Sequence, residues 1–275
     1  TLKRVLPDWS VRLLAGALLL PLLLATVDGL ARVRRRRRPI LPWFGWLAAA
    51  VLPFVLAWAW VRLVALVALD VPPTPLIVQA APLEARGWAT IATTGVVLIL
   101  GWLVLRPMAL RRLRGHLAGG ADAAAAAIAV SLCGVGVFAW LANPFAAILL
   151  LPALHLSLLL AAPEARLRGW RAWLILLGAL APFVLVGVYY GRSLGAGPFE
   201  LAWIVLAASA GGHVGATSAL AAAVLAGCVA CALALALRRP VHTGGPRTPD
   251  EILTRGPLGY AGPGSLGGTD SALRR

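Results

Sequence analysis

Seven stretches of this chain are apolar for close to twenty residues each, and that pattern removes most folds open to 275 residues. They run Val11 to Leu30, Trp43 to about Leu66, Trp88 to Leu105, Ala123 to Leu141, Phe145 to Ala162, Ala172 to Tyr190 and Leu220 to Leu237. A helix needs about 20 such residues to cross a hydrocarbon core about 30 Å thick. No water reaches the backbone there, so the N–H and C=O groups of such a run must be satisfied within a helix. The expected fold class is all-α, a polytopic membrane helix bundle of about seven transmembrane helices. An eighth apolar stretch, Leu201 to Ala210, is half as long and runs into GGHVG; it reads as a re-entrant or interfacial half-helix.

Composition agrees. With 60% hydrophobic and 13% charged residues, the chain lacks the polar side chains that a soluble domain of this size needs on its surface. The formal net charge of +15 therefore bears on membrane orientation before it bears on nucleic acid. Arg32 and Arg34, Arg35, Arg36, Arg37 and Arg38 follow the first span; Arg106, Arg111, Arg112 and Arg114 follow the third. Arg166, Arg168 and Arg171 follow the fifth, and Arg238 with Arg239 closes the last. These are alternate connections, and they hold fifteen arginines against six basic residues on the other side, Lys3, Arg4, Arg12, Arg62, Arg86 and Arg192. The positive-inside rule places the N-terminus outside and the C-terminus in the cytoplasm of a plasma-membrane protein. The block Arg34 to Arg38 then serves topology and lipid headgroups, each arginine contributing on the order of 1 kcal/mol of surface attraction, and nucleic acid is not the expected partner.

Tryptophans favour the headgroup level, where the ring is apolar and the N–H wet. Trp43, Trp46, Trp102, Trp170 and Trp173 fall at expected inner ends, and Trp9, Trp58, Trp60, Trp88, Trp140 and Trp203 at expected outer ends. The proline-rich segment Asp70 to Gly87 reads as an outer strap too short for a domain. From Pro240 the composition turns to Gly, Pro, Thr and charge, so the chain divides into a helix bundle over 1–239 and a disordered cytoplasmic tail over 240–275.

Ionisable groups inside a span are costly and call for a functional hypothesis. Asp28 stands four residues before Arg32, so the two share a helix face and pair near the interface. Arg62 is read as an anchor reaching headgroups or Asp70. His155, in LPALHLSLLL, is the one ionisable side chain near the middle of a span, and with His213 of GGHVGATS it is a candidate functional polar residue. His155 suits a proton relay or a metal, yet no second ligand stands at its depth in the sequence, and a neutral imidazole also serves as a hydrogen-bonding group between helices. Gly211 and Gly215 form a small-xxx-small pair, while His213 with Ser218 lacks the GxSG motif of intramembrane serine proteases. Cys228 and Cys231 have the spacing of a zinc or redox half-site without a second pair, and read as small apolar residues; Cys133 also falls inside an apolar run. No catalytic, cofactor or metal-binding motif emerges.

The only methionine is Met108, which leads to the expectation of an upstream signal or span and an exported domain ahead of Thr1. The segment LPDWSVRLLAGALLLPLLLATVDGLARVRRRRRPILPW, Leu6 to Trp43, resembles the start of the C-terminal membrane region of actinobacterial membrane-bound zinc aminopeptidases of the aminopeptidase Y class. That resemblance covers about the first sixth of the chain and implies a separate exported two-zinc domain, none of whose ligands maps onto a residue here. The function expected is a non-catalytic membrane anchor and scaffold whose partners are the bilayer and the exported domain; the alternative is a small permease-like transporter or transporter subunit.

Overall fold

All seven long apolar stretches are helices in the computed structural model, which describes residues 7–68, 85–113, 120–162 and 169–238. In chain order they are α1 (Asp8–Arg35), α2 (Leu41–Ala68), α3 (Ala85–Leu100), a π-helical turn (Gly101–Leu105), α4 (Arg106–Leu113), α5 (Gly120–Ala142), α6 (Pro144–Ala161), α7 (Gly169–Leu194), α8 (Pro198–Ala210) and α9 (Ala216–Arg238). No strand occurs among the described residues. With α3, the π turn and α4 counted as one rod, seven helices among the described residues are long and apolar enough to cross a membrane, the architecture of a multi-pass membrane protein. The 13 residues of α8 rise about 20 Å, short of the hydrocarbon thickness. The tail at 240–275, most of the strap at 70–87, and Lys3, Arg4, Arg114, Arg166, Arg168 and Arg239 lie outside the described residues.

Helix ends differ from the sequence reading in an informative way. α1 continues beyond Leu30 to Arg35, because arginine is a good helix former and a cation suits the negative end of the helix dipole. Its end comes at Arg37, whose φ of 49° is left-handed, with the Arg38 N–H donating to the Val33 carbonyl at 3.1 Å ahead of Pro39. Asn143 alone separates α5 from α6, its Oδ1 accepting from the N–H groups of Phe145 (3.1 Å) and Ala146 (3.2 Å), with Pro144 in the first turn where no N–H is needed.

The bundle centre is formed by α5, α6 and α9, which touch one another; α1 lies on α5 and α6, α2 on α9 and α3, and α7 on α6. Lipid tails are as apolar as leucine, so burying leucine drives little association, and small residues that let backbones approach carry the packing. Accordingly Ala123, Ala124, Ala125, Ala126, Ala127, Ile128 and Ala129 of α5 are all buried. At Gly227 of α9 a Cβ would stand 2.6 Å from Cγ2 of Val51, so only glycine lets α9 approach α2 this closely. Leucines such as Leu13, Leu24, Leu177 and Leu185 face outward, as a lipid-bathed surface requires.

Cross-helix contacts fix the orientation of neighbours. The C-terminal end of α1 meets the first turn of α5 through Arg36 and Asp122, while Trp140 Nε1 at the other end of α5 donates to the Arg12 carbonyl at 3.0 Å. Along α2 and its partner rod, Trp60 Nε1 donates to Thr93 Oγ1 at 3.1 Å, Pro53 packs on Gly101, and Gly45 packs on Leu113. Both pairs are antiparallel, so Arg32, Arg34 to Arg38, Arg111 and Arg112 gather at one end of the bundle, called here the basic end.

The tryptophans at the helix ends differ in what covers them. Trp43 and Trp46 lie in the core, edge to face with ring centroids 5.6 Å apart, and Trp203 is buried as well. Trp9, Trp88, Trp170 and Trp173 do face outward. An indole at a helix end packs inward wherever a neighbouring helix covers that end.

Candidate functional site

Three helical stripes line a half-open cavity of about 310 Å³ at the basic end. α1 contributes Pro21, Ala25, Gly29 and Arg32; α5 contributes Asp122, Ala125, Ala126 and Ala129; α6 contributes His155, Leu158 and Leu159, with Ala162 just past its end. Each set recurs at three or four residues, so each lines one helix face. The space exists because Ala25, Gly29, Ala125, Ala126 and Ala129 are small while the backbones are held apart by larger neighbours, including Leu22, Leu151 and Leu154, which are fully buried. Next to Ala25, buried Thr26 ties α1 to α5, its Oγ1 donating to the Leu22 carbonyl at 2.8 Å and lying 3.2 Å from that of Ala129.

The polar groups are arranged by depth. Asp122, in the first turn of α5, stabilises the positive end of that helix and pairs with Arg36. Arg32 pairs with Asp28 at 3.0 Å, as its spacing on the helix face implies. Asp28 lies one turn back along α1, so the bridge turns the Arg32 guanidinium inward from its own Cα. His155 lies seven residues before Ala162, about 10 Å deeper along α6. Its Nε2 is buried and has no hydrogen-bond partner among the described residues. A buried nitrogen in that condition costs stability unless something fills the space and bonds to it.

Sequence reading treated His155 as isolated; the structure sets it in the same cavity as Asp122 and Arg32. The sequence carried the signal only faintly, as a lone aspartate opening an alanine run, GGADAAAAAIA. Among the described residues no three His, Cys, Asp or Glu side chains gather as metal ligands.

The remaining candidates lie apart from it. His213 is exposed in the turn between α8 and α9, its ring beside Gly211. Gly211 and Gly215 belong to this turn, so they do not form a helix-packing face. Gly212 takes a φ of 81°, which glycine adopts without strain. Arg62 is corrected from the headgroup-anchor reading: its Nη1 donates to the carbonyls of Ser209 (3.2 Å) and Ala210 (3.0 Å), capping the C-terminal end of α8. Those carbonyls have no intrahelical partner, and a guanidinium satisfies them while complementing the helix dipole.

Arg34 to Arg38 are exposed around the end of α1, and of these Arg36 carries the ion pair to Asp122. Arg106 lies over the Trp102 ring at 4.5 Å from its centroid, held against the protein by the π turn. Cys133, Cys228 and Cys231 are free and buried, and the latter two belong to the core between α9 and its neighbours. No family model matches this chain, and no curated protein or solved structure matches it either.

Proposed function

We propose that this chain is a multi-pass plasma-membrane anchor and scaffold, with its N-terminal side outside, its basic end in the cytoplasm, and an exported, metallopeptidase-like module on its N-terminal side. The observation that carries the reading is the gathering of Arg32, Arg34 to Arg38, Arg111 and Arg112 at one end of an otherwise nearly uncharged bundle. Loop arginines are retained on the cytoplasmic side during insertion, so a one-sided cluster supports that orientation. The resemblance of Leu6 to Trp43 to aminopeptidase membrane regions supports the module. The test places one epitope ahead of Thr1 and another after Arg275 and treats intact cells with protease. Loss of the first with retention of the second is expected; the opposite pattern contradicts the orientation, and an unchanged surface epitope in His155→Ala and His213→Ala variants is expected of a scaffold.

A second reading, a permease-like subunit, is favoured by the cavity holding His155, Asp122 and Arg32. Along α1, its longest wall, this cavity runs from Pro21 to Arg32, about 16 Å, half of the hydrocarbon thickness. It supports a binding site at one face better than a path through the bundle.

A further inference from the structure

We propose that the cavity between α1, α5 and α6 binds one anionic phospholipid of the surrounding bilayer, its phosphate at Arg32 and its neighbouring arginines and the upper part of one acyl chain inside. This rests on the chain lying in a bilayer and holds for either orientation. Three observations carry it.

The lining is graded: Arg32 and Asp122 stand at the basic mouth, whereas Pro21, Ala25 and Ala129 make an apolar deep end. That order follows a lipid from headgroup to chain, and a soluble anion has no use for the apolar depth. The volume, about 310 Å³, is at the low end of the roughly 300–1,000 Å³ of small-molecule sites, which admits the ester region and the upper part of one chain and leaves the rest of the lipid in the membrane.

Charge complementarity selects the headgroup. Six arginines, Arg32 and Arg34 to Arg38, stand at this end of α1 against two carboxylates, Asp28 and Asp122. Both carboxylates are already bridged to arginines, so the excess positive charge attracts a phosphate that carries no compensating ammonium. Basic pockets between transmembrane helices bind anionic headgroups on these terms.

His155 supplies the third observation. Its Nε2 is buried without a partner among the described residues, and it stands on α6 seven residues in from Ala162, which lines the basic end of the cavity. An acyl ester carbonyl sits below the phosphate of a phospholipid and accepts a hydrogen bond from that nitrogen when it carries the proton. Pro21 and Leu159 are exposed on the outer surface of the bundle, so the chain enters sideways from the bilayer between α1 and α6.

The experiment reconstitutes the full chain in phosphatidylcholine vesicles containing a minor fraction of phosphatidylglycerol, extracts it in mild detergent, and counts retained lipid by native mass spectrometry. One phosphatidylglycerol per chain is expected, with retention falling about tenfold or more in Ala25→Phe, which fills the cavity, and unchanged in Leu13→Phe, which faces outward on the same helix. Ala25→Leu, with helicity checked by circular dichroism, serves as the gentler filling variant if Ala25→Phe misfolds. Competition by inorganic phosphate assigns the site to a soluble anion and overturns the proposal. Equal retention of the two lipids overturns it, as does retention that survives filling of the cavity. Loss on Arg34→Gln through Arg38→Gln combined, with both filling variants still retaining lipid, indicates an annular layer only and overturns it as well.

Discussion

Arg36, just past the end of α1, and Asp122, in the first turn of α5, form an ion pair across 86 positions of sequence. The arginine block therefore includes a structural member. Arg36 is half exposed and Asp122 mostly covered, so the pair sits where water still screens it. Its coupling is expected to reach about 0.5–1 kcal/mol, the upper range for partly exposed pairs. A double-mutant cycle with Arg36→Gln and Asp122→Asn, read by thermal unfolding in detergent, checks this. The same measurement on Arg35→Gln is expected to show almost no effect.

Arg62 joins α2 to the end of α8 through two carbonyls. Arg62→Ala leaves both acceptors without their cation and is expected to cost about 1.5–3 kcal/mol, the range for hydrogen bonds to a charged group. Exposure of a cysteine placed at Ser209, which is buried beside this contact, should rise in the variant when followed by thiol reaction rate. Arg62→Lys is expected to fall between, since an ammonium lacks the planar fork of the guanidinium.

Gly227 reports on the small-residue packing of the centre. A methyl there would stand 2.6 Å from Val51 Cγ2 and 3.1 Å from the Val51 backbone nitrogen, so Gly227→Ala must push α9 from α2. The expected loss is about 1–3 kcal/mol. Combining it with Val51→Ala relieves the side-chain clash and should recover part of the loss in the same unfolding assay, leaving the part due to the backbone.

The spans were legible in the sequence because the constraint behind them is one-dimensional: a run of about 20 apolar residues is long enough to cross, whatever its neighbours. The Asp28–Arg32 pair was legible for the same reason, four residues being one helical turn. What the sequence hid depends on which helices become neighbours. Residues 21, 25, 29 and 32 make a cavity wall only when α5 and α6 supply the facing stripes, and Asp122 joins His155 only through that space. Arg62 reads as a headgroup anchor until α8 presents its carbonyls, and nothing in the sequence says that neighbours cover Trp43 and Trp46 at their helix end. The π turn at Gly101–Leu105 left no mark in the apolar pattern, since it alters hydrogen-bond spacing without altering composition.

Thiol labelling in intact cells tests the central claim, that seven spans place the arginine-rich connections in the cytoplasm, most directly. The native cysteines Cys133, Cys228 and Cys231 are buried and are replaced by alanine, and single cysteines are introduced as Thr74→Cys in the connection after α2 and Thr243→Cys in the C-terminal segment. A membrane-impermeant maleimide is expected to modify the first in intact cells and the second only after lysis. Modification of Thr243→Cys in intact cells, with Thr74→Cys protected until lysis, would contradict the account.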